Sequence, residues 1–172
     1  LSRCHTYNRP VNLRTFTPIL IVMVFACYAQ VIHHQYLIFD DFKYVVQNEH
    51  VNTGVTIDNI QWAFTSTHAA NWHPLTWVSY MIDFELFGEN AGRQLLVNVI
   101  LHAAAVLMLL GAMIRLTGDR WRSLLVAAIF ALHPLHVESV AWVSERKDVL
   151  SALFGFAALW AYASYVQSEQ RP

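Results

Sequence analysis

The chain is 172 residues long, 56% hydrophobic and only 13% charged, with a formal net charge of −1 and a mean hydropathy of +0.36. An average soluble domain is about a quarter charged, so the composition argues against one large soluble core and for several membrane spans. The near-neutral charge leaves no basic surface for a nucleic acid, and the two cysteines, Cys4 in a polar stretch and Cys27 in an apolar run, have neither disulfide nor metal-site spacing.

A polar cytoplasmic tail, 1–16, precedes the first apolar run, 17–37. That run has the ~20-residue length of a span, exceeds a signal-peptide core, and is followed by no small-residue cleavage site. An outer loop, 38–94, comes next. Within it, "VTIDNIQWAF" opens with Thr56 as a helix cap, and "NWHPLTWVSYMIDFELFG" has Pro74 near its start and Gly88 at its end, as helices often do. Trp62, Trp72, Trp77, Tyr80, Phe84 and Phe87 suit the boundary between water and bilayer. One or two helices are therefore expected in the interface plane; a small soluble cap is the other reading.

The second span, 95–116, carries Asn98 and His102 one turn apart, and polar groups at that depth face other helices rather than lipid. After an inner turn, 117–120, the third span, 121–134, is only roughly 21 Å long at 1.5 Å per residue, thin for an apolar layer of ~30 Å. An outer loop, 135–148, a fourth span, 149–166, and a cytoplasmic end, 167–172, complete the order. The stop just after a span reads as an excerpt from a longer protein.

Lys and Arg set the orientation. With the N-terminus inside, Arg3, Arg9, Arg14, Arg115, Arg120, Arg122 and Arg171 are internal, and Lys43, Arg93, Arg146 and Lys147 are external. Asp119 and Glu169 are the acids left inside; the others gather outside. The expected fold is an all-α, polytopic membrane helical bundle with about four transmembrane helices and interfacial helices in the first outer loop. As an integral multi-pass protein it belongs in the inner membrane of a bacterium or the endoplasmic reticulum of a eukaryote.

Three groups of residues carry candidate chemistry. "IFDDFKYV" sets Asp40 and Asp41 at the outer mouth of the first span. Adjacent carboxylates repel, and one held at such a mouth suits a general base toward a hydroxyl arriving from outside; the plainer reading is that they mark the end of the span. "HPLHVESVAWVSERKD" offers His133, His136 and Glu138 as metal ligands. However, H-x-x-H is not the i, i+4 pair of H-E-x-x-H enzymes, and Pro134 interrupts the helix between them. The alternative is that they are polar helix-end groups bonded to the outer loop. Arg146 and Lys147 match lipid headgroups or the phosphate of a lipid-linked substrate. His68 and His73 add polar groups to the same outer face.

In order, "DDFKYVVQNEHV", "NWHPLTWVSYMIDFELFG", "QLLVNVILHAAAVLMLL" and "ALHPLHVESVAWVSERKDVLSALF" resemble the N-terminal part of the multi-span C-type glycosyltransferases that carry C-terminal tetratricopeptide repeats. Their animal relatives are the transmembrane and tetratricopeptide-repeat O-mannosyltransferases, which use dolichyl-phosphate mannose. The resemblance implies inverting transfer of a sugar from a polyprenyl-phosphate donor to a hydroxyl of a protein or glycan acceptor on the outer face. It implies Asp40 as base with Asp41 positioning it, Arg146 and Lys147 on the donor phosphate, and His73, His133, His136 and Glu138 shaping the site. It implies no cofactor and no metal, although some C-type enzymes use a divalent cation. Further membrane helices and the repeats would lie downstream. Two other readings stand beside it: a non-catalytic, truncated module that binds lipid or assembles with other subunits, and a metal-dependent membrane protein built on the His/Glu group.

Overall fold

The computed structural model describes residues 12–169; Arg3, Arg9, Arg171, Cys4 and most of the expected cytoplasmic tail lie outside the described residues. The Asn12 side chain accepts from the Arg14 N–H at 3.1 Å and starts α1 (Leu13–Tyr28), which runs on through a 3-10 turn, Ala29–His33. These 21 residues reach about 30 Å at the helical rise, enough to cross the apolar layer. The span sits earlier than the 17–37 expected from the sequence because His34 turns extended and ends the helix.

The segment between the first two spans is folded rather than looped. A π-helical turn, Phe42–Val46, leads to α2 (Glu49–Asn52), α3 (Ile57–Thr65) and α4 (Pro74–Phe87). Thr56 Oγ1 accepts from the Asn59 N–H at 3.1 Å, capping α3, and α4 starts on Pro74 and stops at Gly88 with φ 61°. The aromatic residues expected at the bilayer boundary are mostly inside this segment. Trp77 and Tyr80 are fully buried, and the Trp77 ring meets those of Tyr44, Trp62, His68 and His73 at 4.4–5.6 Å. Trp72 alone among the six is strongly exposed, at 64%. An aromatic core and an aromatic belt have the same composition; only packing separates them.

The spans α5 (Ala91–Thr117) and α8 (Arg146–Glu169) lie side by side and parallel. At one end the Arg146 guanidinium reaches Gln94 and Asn98; at the other Arg115 stacks on Trp160 with its Cζ 4.8 Å from the ring, and its carbonyl accepts from Gln167. A parallel pair requires the chain between them to return the full height of the bundle. It does so in two pieces, α6 (Arg120–Leu132) and α7 (His136–Ala141). Three helices are long and apolar enough to cross a membrane, Leu13–His33, Ala91–Thr117 and Val143–Glu169, and the crossing expected at 121–134 is broken between α6 and α7. The reason is Pro134, which has no N–H to donate and disfavours helical backbone at the preceding residue; His133 is extended at φ −68°, ψ 129°. Asn98 and His102 face this broken crossing. Asn98 Nδ2 donates to Trp142 O at 3.1 Å, and His102 Nε2–H donates to Ala131 O at 3.1 Å.

Gly92 lets α5 approach the end of the first span. A Cβ there would stand 2.1 Å from the Ile32 carbonyl oxygen, a backbone atom that cannot swing aside. Gly92→Ala is expected to destabilise the protein by roughly 1–3 kcal/mol, the usual cost of overpacking. A melting temperature in detergent equal to that of the parent would contradict this contact.

Candidate active site

Asp40 and Asp41 are neighbours in sequence with opposite surroundings. Asp41 is 1% exposed. Its Oδ1 accepts from the Ser144 N–H at 3.0 Å and from the Ser144 hydroxyl, and its Oδ2 accepts from the Leu37 N–H at 2.9 Å. A carboxylate at that depth requires such partners. It also borders a cavity of about 350 Å³ with Tyr36, Leu95 and Val143. Asp40 is half-buried and has no hydrogen-bond or ion-pair partner among the described residues. One carboxylate is engaged by the protein, and the other has no such partner among the described residues.

Ser144 belongs to a 3-10 turn, Val143–Glu145, that feeds directly into α8. The acid pair is thus tied, across a hundred residues of sequence, to the turn that precedes Arg146 and Lys147. These two cations point in different directions. Arg146 is completely buried and forms an ion pair with Asp83; Nε donates to Asn98 Oδ1 at 2.7 Å and Nη2 to Gln94 O at 2.6 Å. Its guanidinium faces into the bundle rather than toward the outer mouth. Lys147 is one-third exposed, pairs with Glu145 at 2.7 Å, and lines an apolar cavity of about 490 Å³ with Phe64, Trp72, His73, Leu150 and Phe154.

The Tyr44 hydroxyl accepts from Asn71 Nδ2 at 2.7 Å. Burial pushes it above the ordinary tyrosine value, Lys147 pulls it down, and Asp40 and Glu145 push it up. The His73 ring packs at a tilt against Trp77, with centroids 4.4 Å apart. Burial lowers it to about 4, with Lys147 and His68 adding to the effect, so near neutral pH it is an uncharged wall of the Lys147 groove.

The His/Glu group lies elsewhere. His133 is exposed at the helix break, where its Nδ1 accepts from the Leu135 N–H at 3.3 Å, and its ring centroid is 6.1 Å from that of His136. His136 packs on Phe130 at 4.4 Å and borders a cavity of about 160 Å³ with His102, Asp148 and Ala152. Glu138 is exposed. Residues 148, 149 and 152 occupy a different face of α8 from Lys147, Leu150, Ser151 and Phe154. No group of three or more His, Cys, Asp or Glu side chains suited to one metal ion occurs among the described residues.

Asp41 is thus buried beside one cavity while His73 and Lys147 line another, Asp40 is half-buried next to Asp41, Arg146 is sealed inside the bundle, and His133, His136 and Glu138 lie around the helix break. Sequence reasoning passed over Ser144 and Asp83, which sit inside blocks already singled out but carry no spacing signal.

These helices define a multi-pass, all-helical membrane protein with its polar chemistry gathered at one end. The chain is related to the protein O-mannosyl-transferases. It is 32% identical over 107 residues to protein O-mannosyl-transferase TMTC2 of Mus musculus, an alignment covering 60% of this chain and 13% of the relative. Against protein O-mannosyl-transferase TMTC3 of Mus musculus the identity is 26% over 159 residues, 88% of this chain and 17% of the relative. Against protein O-mannosyl-transferase Tmtc2 of Drosophila melanogaster it is 28% over 138 residues, 76% and 14%. The chain thus spans only 13% to 17% of the length of these curated relatives. No family model and no solved structure matches it.

Proposed function

We propose that the chain forms part of a membrane glycosyltransferase that moves a sugar, mannose by analogy with its relatives, from a polyprenyl-phosphate donor to a hydroxyl on the outer face. The observation that supports this reading is the buried link between Asp41 and Ser144, which ties the acid pair to the turn that leads into Lys147, while Asp40 has no hydrogen-bond or ion-pair partner among the described residues. The lipid chain of the donor would lie in the apolar groove of Phe64, Trp72, Leu150 and Phe154, with its phosphate at Lys147. Asp40 would take the proton of the acceptor hydroxyl as that oxygen attacks the anomeric carbon from the face opposite the phosphate. The bond from carbon to phosphate oxygen breaks, the configuration inverts, and Lys147 stabilises the departing polyprenyl phosphate. Asp41 holds the turn that carries Asp40. The acceptor is a serine or threonine hydroxyl of a protein, or a glycan hydroxyl.

Donor profiling tests the reading. The complete gene product, given a panel of polyprenyl-phosphate sugars, is expected to transfer from at least one. Lys147→Gln is expected to weaken use of that donor about 10- to 100-fold, the worth of one charge-assisted hydrogen bond, with the loss shared between donor KM and kcat because the lysine both holds the phosphate and stabilises it as it leaves. Absence of transfer from every donor would leave a non-catalytic membrane module as the better description.

A further inference from the structure

We infer that Asp83 is a positioning residue: through Arg146 it holds the Trp142–Lys147 segment in the one place where Ser144 can anchor Asp41 and Lys147 can face the groove. The inference rests on the transfer reading above and names the part of the fold that makes that site rigid.

The 142–146 segment is gripped from two sides. From α4, Tyr80 donates its hydroxyl to Val143 O at 2.6 Å, and Asp83 takes the Arg146 guanidinium, which also lies with its Cζ 4.8 Å from the Tyr80 ring. From α5, Asn98 bridges the segment by donating Nδ2 to Trp142 O at 3.1 Å and accepting from Arg146 Nε at 2.7 Å, while Gln94 O accepts from Nη2 at 2.6 Å. On the opposite side Ser144 presents its N–H and hydroxyl to Asp41. The segment is a node between the bundle and the acid pair. Both charges of the pair are nearly sealed from water, Arg146 at 0% and Asp83 at 5% side-chain exposure.

An ion pair at that depth is a poor way to gain stability, because two apolar residues of similar volume commonly serve as well or better. What it supplies is direction. The guanidinium fork accepts partners in one plane, so Asp83, Asn98 and Gln94 together set the position of the first residue of α8. Lys147 follows on the next residue, pointing to the groove because Arg146 points away from it. Burial raises the Asp83 carboxyl above its ordinary value, and the neighbouring guanidinium opposes that rise.

The test uses the complete gene product and two readouts: sugar transfer per folded molecule, and amide hydrogen exchange at Ser144 and Leu37, whose N–H groups bind Asp41. Asp83→Asn strands the buried cation and risks misfolding, so the double variant Asp83→Leu/Arg146→Met, which removes both charges together, decides. It is expected to insert and melt like the parent, yet exchange at Ser144 and Leu37 rises at least tenfold. Its kcat falls at least tenfold, and donor KM rises as well because Lys147 is no longer held toward the groove. Asp83→Glu, which keeps the charge, is expected to recover part of that kcat. Parent-like exchange at both amides, or loosened amides with kcat within twofold of the parent, overturns the inference. Should the parent itself transfer no sugar, the transfer reading fails, while the exchange data still decide whether Asp83 holds the node.

Discussion

Asp40→Asn is expected to lower sugar transfer by about two to four orders of magnitude, the usual worth of a general base, with membrane insertion and melting temperature unchanged. The asymmetry between the two acids is the reason. Asp40 has no partner among the described residues to lose, so its amide costs the fold nothing. Asp41→Asn combines two effects. Its Nδ2 must face one of the N–H groups of Leu37 or Ser144, donor against donor, which costs roughly 1–3 kcal/mol, and the turn carrying Asp40 loosens as a consequence. The signature is a rate defect without a stability defect at Asp40, and both defects at Asp41. Transfer retained in both single variants would remove the acid pair from the chemistry. A rate defect confined to Asp41→Asn would hand the base role to the buried member.

Arg146→Ala is expected to destabilise the protein by about 3–5 kcal/mol, because it leaves Asp83 as an uncompensated buried charge. Urea or thermal unfolding in detergent measures this directly. The two cations of "SERKD" are thereby separable: Arg146→Ala lowers stability first, whereas Lys147→Gln leaves stability near the parent and raises donor KM. The opposite pattern, a stable Arg146→Ala protein with impaired donor use, would mean that the guanidinium turns outward to the phosphate.

Much of the architecture is legible in residue patterns. The apolar runs located α1, α5 and α8, Thr56 announced the start of α3, and Pro74 and Gly88 bracketed α4. Asn98 and His102 were expected to turn away from lipid and do so. The third crossing was only half legible. Its short length and Pro134 were visible, but the parallel packing of α5 against α8, which obliges the chain to climb back in two pieces, is a tertiary fact. The packing of the aromatic cluster around Trp77 was not legible for a related reason: the residues of a belt and of a core are the same until their neighbours are known.

The candidate site divides along the same line. Sequence by itself determined that this is a helical membrane chain, which end collects the acids, and that an acid pair, a His/Glu group and a cation pair are the chemistry available. Those conclusions depend on hydrophobic length, charge bias and residue type, which are local properties. Only the tertiary structure decided that Asp41 is tied to Ser144, that Arg146 is held inward by Asp83 while Lys147 looks outward, and that the His/Glu group lies on another face of α8. Each of those depends on contacts between residues tens to a hundred positions apart. Their formation is set by which faces of α4, α5 and α8 bury one another, a quantity no single segment carries.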